Sequence, residues 1–225
     1  MGTLKATNEL LASLGPSAAA GQGQQWARRC ALALGLDGAA VTLEEELVWF
    51  SDRTSARLED LQFVLGRGPS VPPKSHLRQV PDVRHLPEKH WPQFAAEAEP
   101  LGIAALFVWP VHLGAVTAGT LTGYRRTPGP LTGQQAADGW LIADALAEHI
   151  LAHWPTAAAS AAADGPGTTG EVDMHRAEVH QATGVLSVQL GVPLAEALAR
   201  LRAQAYAAGR SLSETAHDIV KDLPQ

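Results

Sequence analysis

Residues 174–221 read MHRAEVHQATGVLSVQLGVPLAEALARLRAQAYAAGRSLSETAHDIVK, and this stretch predicts three short helices. A first helix over Met174–Leu190 is expected to end at Gly191, because glycine readily takes the left-handed conformation found just after a helix. Pro193 suits the first turn of a second helix, where its missing N–H is not needed. Gly209 is expected to end that helix as Gly191 ends the first. So small a unit has little room for a catalytic cleft, which favours a surface that binds a partner.

Apolar side chains recur on the second and third predicted helices at the spacing of an amphipathic helix. The stripe on the second helix consists of Leu194, Leu198, Leu201, Ala205 and Ala208. Ser211 and Glu214 form an S-x-x-E capping box at the start of the third helix. That helix is predicted to bury Leu212, Thr215, Ala216, Ile219 and Val220. The three helices are therefore expected to pack together through these faces.

Three segments of this stretch carry a family resemblance. They are Val179–Leu186 (VHQATGVL), Glu196–Arg202 (EALARLR) and Leu212–Ala216 (LSETA). Over residues 172–222 the chain resembles the ANTAR domain, a three-helix RNA-binding module of bacterial transcription antiterminators. The resemblance implies a C-terminal domain at 172–225 that binds stem-loops in nascent transcripts. Many ANTAR domains have lysine where this chain has Thr183, so one expected cation is missing.

Polar and basic residues of these helices form the candidate RNA-binding site. Arg176, His180, Thr183 and Ser187 follow one another at steps of four, three and four, which places them on one helix face. Such a stripe is commonly only a solvated face, whereas the ANTAR resemblance implies contacts to phosphates and loop bases. The expected RNA-binding residues are Arg176, His180, Gln181, Thr183, Gly184, Ser187, Arg200, Arg202 and Arg210. Base stacking in this part of the chain is limited to the ring of Tyr206.

The N-terminal part of the chain alternates helix and strand signals. Helices are predicted at Gln24–Leu34, Thr54–Leu65, Trp91–Ala98 and Thr132–His153, and strands at Gly38–Leu43, Leu47–Phe50, Ile103–Leu113 and Val116–Tyr124. Turns at Glu44–Glu46 and Gly114–Ala115 join neighbouring strands into hairpins. Thr132 and Gln135 form a T-x-x-Q cap for the last helix. This order predicts an antiparallel sheet with helices on its faces.

Two blocks of this part carry a second resemblance. They are Leu65–Pro69 (LGRGP) and Val108–Leu131 (VWPVHLGAVTAGTLTGYRRTPGPL). Residues 18–153 resemble the GAF domain, a bacterial sensory fold. GAF domains joined to ANTAR tails usually carry an acid at the place of Arg67 and often cysteine at the place of Ser70, so a shared ligand is not implied. The predicted fold is α+β, a GAF-like antiparallel sheet with flanking helices followed by an all-α three-helix ANTAR-like module.

Composition predicts a flexible linker at residues 154–171. Pro155–Gly170 reads PTAAASAAADGPGTTG, which contains small residues and no apolar stripe. The linker separates a GAF-like sensor domain at 18–153 from the ANTAR-like domain at 172–225.

Charge and cysteine content restrict the classes of function. The 225 residues carry a formal net charge of −6, which argues against indiscriminate binding to a phosphate backbone. A single cysteine, Cys30, excludes an internal disulfide and a cysteine-based zinc site. No apolar run approaches the length of a membrane span, and residues 1–15 lack the pattern of a secretion signal. A cytoplasmic protein without membrane contact is predicted.

Candidate catalytic and metal-binding residues form no recognised site. His149 and His153 share a helix face, either as two metal ligands or as two solvated side chains near a helix C-terminus. A second group in a proline-rich segment contains His76, Asp82, His85, Glu88 and His90 and matches no ligand spacing. Cys30 is predicted to be a buried apolar side chain, and Trp49 and Trp109 either core residues or the lining of a pocket. We predict no catalytic residue and no metal; the ligand and the cofactor stay unknown.

The helix predicted from Thr132 carries apolar residues on more than one side. A heptad-like seam consists of Ala136, Trp140, Ala143, Ala147, Ile150 and Trp154. Further apolar surface comes from Leu141, Ala145 and Leu146. Either the seam only packs on the domain's own sheet, or one face meets the sheet and another meets a second subunit. A homodimer is predicted on the second reading.

Taken together, these features predict a non-enzymatic, signal-responsive transcription antiterminator. Its N-terminal domain would sense an unidentified small-molecule or protein signal, and its C-terminal helices would bind RNA stem-loops. The alternative is a sensory protein-interaction module without RNA binding. A small-molecule enzyme is disfavoured because no nucleophile–base pair is recognisable.

Overall fold

The computed structural model describes residues 10, 22–43, 46–71, 75–86, 91–163, 172–210 and 212–221. The chain divides into two compact units. The N-terminal unit takes in residues 1–63 and 67–163, and the C-terminal unit takes in residues 64–66 and 164–225.

The N-terminal unit contains helices and strands in the predicted order. Its helices are α1 (Gln22–Leu34), α2 (Arg53–Leu65, apart from its last two residues), α3 (Pro92–Ala98) and α4 (Gly133–Ala163). Its strands are β1 (Gly38–Leu43), β2 (Glu46–Phe50), β3 (Arg78–Val80), β4 (Ala105–Leu113) and β5 (Val116–Arg125). Short 3-10 turns lie at Val83–His85 and Glu99–Leu101. The sequence pattern misses β3, and residues 44–45 of the predicted acidic turn lie outside the described residues.

The strands form one antiparallel sheet in the order β2-β1-β5-β4-β3. β4 and β5 make a long hairpin that closes at the predicted Gly114–Ala115 turn, with Leu113 opposite Val116. β1 pairs with the other edge of β5, where Val41 lies opposite Leu121. The sheet therefore pairs a strand from the first part of the unit with a strand from its second part, so its centre depends on non-local contacts.

One face of the sheet packs against α1 and α4. The core on this face includes Trp26, Cys30, Leu34, Val41, Phe107, Trp109, Leu121, Ile142 and Leu146. Alternate residues of the strands reach this face because successive side chains of a strand point to opposite sides. Trp109 is fully buried, and its indole Nε1 donates to the carbonyl oxygen of Ala136 at 3.1 Å. It is therefore a core residue and not the lining of an open pocket.

The start of α4 confirms the predicted cap. The backbone N–H of Thr132 donates to Gln135 Oε1 at 2.9 Å, and the backbone N–H of Gln135 donates to Thr132 Oγ1 at 3.2 Å. Each side chain thus satisfies a backbone donor that the first turn leaves without a helical partner.

The far end of α4 differs from the prediction. The helix continues to Ala163, ten residues past the expected end at His153 and into the segment predicted as a linker. Alanine is the best helix former, so the alanines between residues 157 and 163 favour helix where their small size had suggested flexible coil. The side chains of residues 150–176 and the whole of residues 164–171 lie outside the described part of the chain. The domain boundaries stay a prediction.

The C-terminal unit consists of α5 (Val172–Leu190), α6 (Leu194–Ala208) and α7 (Leu212–Lys221). Gly191 and Gly209 both have a φ of 63°, so they end α5 and α6 in the left-handed conformation that was predicted. α5 packs against both α6 and α7. Buried side chains of the unit include Val179, Ala182, Ala197, Leu198, Leu201, Ala205, Leu212, Thr215 and Ala216.

Two members of the predicted α6 stripe are not buried. Leu194 and Ala208 are exposed, because they lie in the terminal turns of α6, where no described residue covers the stripe. The central members Leu198, Leu201 and Ala205 are buried as expected. Ser211 of the predicted capping box lies outside the described residues.

The predicted fold class is confirmed. An antiparallel sheet with helices on its faces precedes a separate three-helix bundle.

Candidate nucleic-acid interface

The polar stripe predicted on α5 does not form one exposed surface. Thr183 is only 4% exposed, and its hydroxyl donates to the backbone carbonyl of Val179 at 2.7 Å. Ser187 is partly buried, and its hydroxyl donates to the carbonyl of Val192 at 2.6 Å, which fastens the turn after α5. His180 is also partly buried. The expectation of an exposed Thr183 is wrong because Thr183 lies with the buried Val179 and Ala182 on the side of α5 that packs against the other two helices.

Two other predicted positions on α5 are accessible. Gln181 is exposed, and a Cβ atom built at Gly184 would meet no neighbouring atom within 4 Å. The side chain of Arg176 lies outside the described residues. On α5 the described site is therefore narrower than the predicted stripe.

Arginines supply the positive charge of α6 and of the turn that follows it. Arg200 Nη2 lies 2.5 Å from Glu196 Oε1, one helical turn earlier. Arg210 Nη1 lies 2.6 Å from Asp218 Oδ2 on α7, and this hydrogen bond raises the pKa of Arg210 and lowers the pKa of Asp218. Arg200 and Arg210 keep much of their side chains in solvent, while Arg202 is partly buried. Both exposed ion pairs are reachable by a competing phosphate.

Large apolar side chains are exposed on this unit. They are Val188, Leu190, Leu194 and Tyr206. Sequence reasoning misses the first two because they fall in no stripe, and it places Leu194 inside. It does single out Tyr206 as the available ring, and the structure leaves that ring in solvent.

The three packed helices lie in a segment that matches the model of a known protein family. Residues 173–220 match the family model of the ANTAR domain. This match confirms the C-terminal resemblance and covers nearly all of α5, α6 and α7. Residues 173–220 form the ANTAR region of the chain.

Histidines of the N-terminal unit form no described metal site. His76 and His85 are exposed, and His85 Nδ1 lies 2.8 Å from Asp82 Oδ2. The ring of His149 packs against that of Trp49, with 5.7 Å between ring centroids. Glu88, His90 and the side chain of His153 lie outside the described residues. Within the described ranges, no three histidine, cysteine or acidic residues are grouped to hold a metal ion.

Cys30 is a buried core residue, as predicted. It is fully buried on α1, and burial raises the pKa of its thiol to about 12. A thiol that stays protonated at neutral pH is a poor nucleophile.

A polar cluster is buried beside α2. Glu59 Oε2 accepts a hydrogen bond from the hydroxyl of Thr42 at 3.1 Å, and Gln62 Nε2 donates to Glu59 Oε1 at 3.1 Å. The backbone N–H of Ser70 donates to Gln62 Oε1 at 2.8 Å. Among the described residues, the buried hydroxyl of Thr122 has no hydrogen-bond partner. The cluster ties α2 and the turn before Ser70 to the sheet, so the LGRGP block is part of a hydrogen-bonded turn.

A groove of about 630 Å³ lies beside α3 in the N-terminal unit. Its lining combines apolar and charged side chains, among them Val83, Leu86, Ile103, Arg84, Glu99 and Arg126. Arg84 is held by Asp82, with 3.1 Å between Nη2 and Oδ2, and this hydrogen bond keeps the pKa of Asp82 well below its usual range. The volume is within the range of small-molecule sites.

Comparison with solved structures concerns the fold. The chain is similar to a domain from a protein named as a two-component sensor histidine kinase of Sinorhizobium meliloti 1021, with a TM-score of 0.51 and 19% identity over 63% of this chain and 98% of that chain. The GAF domain of a phosphoenolpyruvate-protein phosphotransferase from Acinetobacter gives a TM-score of 0.48 and 12% identity over 68% of this chain and 94% of that chain. The GAF domain of the corresponding protein from Coxiella burnetii gives a TM-score of 0.47 and 14% identity, over 69% of this chain and 96% of that chain.

The chain therefore combines an antiparallel sheet unit, similar in fold to the Sinorhizobium meliloti domain, with the ANTAR region at residues 173–220. No curated protein matches the chain significantly.

Of the described helices, none is long and apolar enough by itself to cross a membrane. Only Ala177–Leu190 and Leu194–Ala208 taken together satisfy the criteria of length and composition, and a bend of 107° separates them.

Proposed function

We propose that this protein is a signal-responsive RNA-binding transcription antiterminator of the cytoplasm and not an enzyme. The observation that carries the proposal is the ANTAR match over residues 173–220, on three helices that pack as one bundle. The bundle would bind stem-loops in a nascent transcript and so prevent a terminator from forming.

The charge balance of the ANTAR region limits how it binds RNA. Residues 172–221 contain five bases (Arg176, Arg200, Arg202, Arg210 and Lys221) and five acids (Asp173, Glu178, Glu196, Glu214 and Asp218), a formal net charge of zero before histidines. Non-specific attraction to phosphates needs a surplus of cations. Binding would therefore be focal, at the accessible Gln181, Arg200 and Arg210.

A homodimer through α4 would raise the weak affinity of a single site. Ala143 and Ala147 of the predicted seam are buried in the unit's own core, whereas Leu141 on another side of the helix is 51% exposed. Thirty-one residues of helix extend about 46 Å, enough for a long contact between two copies. Two RNA sites in one dimer gain affinity through effective concentration.

Signal sensing is assigned to the N-terminal unit. The groove beside α3 supports this assignment, because it offers apolar walls and the guanidinium of Arg126 to a small molecule or a peptide side chain. Native mass spectrometry of the full chain would identify a bound small molecule.

A protein-interaction module without RNA binding is the second candidate. The exposed Val188, Leu190 and Leu194 favour it, because apolar side chains gathered around one helix corner are typical of protein contacts.

The test of the proposed function is RNA capture by the full chain, followed by sequencing and by transcription through the captured terminators in vitro. We expect the chain to enrich stem-loops and to increase read-through, and Arg200→Ala or Arg210→Ala to lose most of both effects. Arg67→Ala is the control, because Arg67 is an exposed arginine of the N-terminal unit. If the chain recovered all RNAs equally, or recovered no RNA, the antiterminator would be rejected and the protein-binding module favoured.

A further inference from the structure

Tyr206 is the exposed aromatic ring of the ANTAR region. It lies in the last turn of α6, and 76% of its surface is in solvent. Among the described residues, no aromatic or cationic group covers the ring. An aromatic side chain left open in this way presents a large apolar face with a polar hydroxyl at its edge.

The surroundings of Tyr206 keep the ring prominent. Ala203 and Ala207 are small, exposed neighbours on α6, so the ring stands above the helix surface. Arg202 lies one helical turn before Tyr206. Arg210 stays beside the last turn because its backbone N–H donates to the carbonyl of Ala205 at 3.0 Å. An open ring of this kind suits a planar partner such as the base of a nucleic acid.

The position of the ring favours a base over a phosphate. The C-terminal end of a helix carries the negative end of the helix dipole, which disfavours a phosphate at Tyr206 but does not oppose an uncharged base. The region also has no surplus of positive charge, since its five bases meet five acids. Affinity for RNA must therefore come largely from contacts that do not depend on charge.

We propose that Tyr206 is the stacking platform for an unpaired base in the loop of the bound RNA. The proposal rests on the proposed RNA-binding function and assigns one residue to loop recognition. Stacking on an aromatic side chain changes affinity by roughly fivefold to 150-fold per base. Arg202 and Arg210 would contact other phosphates of the same RNA.

A consequence is a shallow dependence of affinity on salt. The slope of the logarithm of the binding constant against the logarithm of the salt concentration is about −0.7 per neutralised phosphate of a single strand. With the three arginines Arg200, Arg202 and Arg210 engaged, we expect a slope of about −2. The Tyr206→Ala variant should bind more weakly with the same slope, because no charge is removed.

The binding experiment starts from a pool of RNA hairpins that share one stem and have eight randomised loop positions. The full chain is used to enrich the hairpins that it binds. The best hairpin is compared with the same hairpin carrying abasic loop positions, which keeps every phosphate but removes the bases. We expect the natural chain to prefer the intact loop by at least about fivefold. Tyr206→Ala should lose that preference, and Tyr206→Phe should keep it because the ring remains.

The matched control is Val188→Ala. Val188 is 84% exposed on α5, so this change also removes an exposed apolar side chain of the same unit. It should leave affinity and loop preference unchanged. A loss of loop preference equal to that of Tyr206→Ala would overturn the assignment to the ring.

A spectroscopic test reads the ring directly. The chain has two tyrosines, so 3-fluorotyrosine labelling gives two fluorine signals. Tyr124 is buried, and its hydroxyl donates to Asp52 Oδ1 at 3.0 Å, which makes it an internal reference. We expect the Tyr206 signal to shift with the intact loop and to move little with the abasic loop.

The outcomes separate the two proposals. The stacking platform would be rejected if the natural chain and Tyr206→Ala bound RNA with equal affinity and the Tyr206 signal did not shift. The proposed antiterminator function would be unaffected by that result. Failure of the pool to yield any bound hairpin would reject both.

Discussion

Thr183 lies inside the three-helix bundle, where a charged side chain would have to leave water. It is 4% exposed, and its hydroxyl already has a partner in the Val179 carbonyl. We predict that Thr183→Lys lowers the free energy of unfolding by about 2–4 kcal/mol, since an unpaired charge or overpacking is among the costly core changes.

Gln181→Lys is the matched control for Thr183→Lys. Gln181 is an exposed neighbour on the same helix, so its substitution should stay within about 0.5 kcal/mol. Urea denaturation of the full chain followed by circular dichroism measures both. Equal stability of the two lysine variants would show that Thr183 is not enclosed.

Asp218 makes part of the protein's stability dependent on pH. The hydrogen bond from Arg210 lowers the pKa of Asp218 from its ordinary 3.8, so the folded state holds the charged form more strongly than the unfolded state. The contribution is present above pH 3.8 and is lost as pH falls through the lower pKa of the folded state. The urea midpoint should therefore fall less between pH 6 and pH 3 in Asp218→Asn than in the natural chain. The exposed Asp144→Asn serves for comparison, and an unchanged pH profile in Asp218→Asn would contradict the ion pair.

Along α6, burial changes between the middle and the ends of one apolar stripe. Leu201 is fully buried in the bundle, whereas Leu194 is exposed in the first turn. We predict that Leu201→Ala costs about 2–5 kcal/mol of unfolding free energy through lost burial and a cavity, and that Leu194→Ala costs less than about 0.5 kcal/mol. Denaturant midpoints of the two variants decide this. Similar losses of stability in the two variants would mean that Leu194 is buried in solution. Burial of this kind is what a protein contact at the start of α6 would produce.

The predictable elements are those with local signals. The β4–β5 hairpin has alternating or continuous apolar strands around a short turn, and α4 begins with a reciprocal cap, so both follow from neighbouring residues. β3 has only three residues and exists because Arg78–Val80 pairs with Leu106–Val108. A strand that short is specified by its partner, which no local pattern contains.

The candidate site was harder to predict than the elements that carry it. A period of 3.6 shows which residues of α5 share a face, but it does not show which of those faces the other two helices cover. The pattern therefore predicts Thr183 in solvent and Leu194 in the core, and the structure shows the reverse. Tyr206 was predictable as a candidate because ring chemistry depends on residue type, whereas its exposure depends on where α6 ends.

At the scale of the whole molecule, the arrangement of α4 determines whether two RNA sites act together. Its buried side packs in the N-terminal core, through residues such as Ile142 and Leu146, and its exposed side carries Leu141. The side of α4 that packs on the unit's own sheet is not available to a second subunit. A dimer therefore has to form through the exposed side that carries Leu141. The regulator proposed here depends on that division of the helix surface.

We therefore predict that the natural chain sediments at twice its 23.7 kDa mass at micromolar concentration and that Leu141→Glu sediments as a monomer. A carboxylate at this position would be buried without a partner in the dimer but solvated in the monomer. Leu32→Glu is the control, because Leu32 is 78% exposed on α1 and lies outside the proposed contact; this variant should remain dimeric. Analytical ultracentrifugation measures all three chains. A monomeric natural chain, or a Leu141→Glu variant that still dimerises, would remove α4 as the dimer contact, and each RNA site would then have to bind without the gain from a second one.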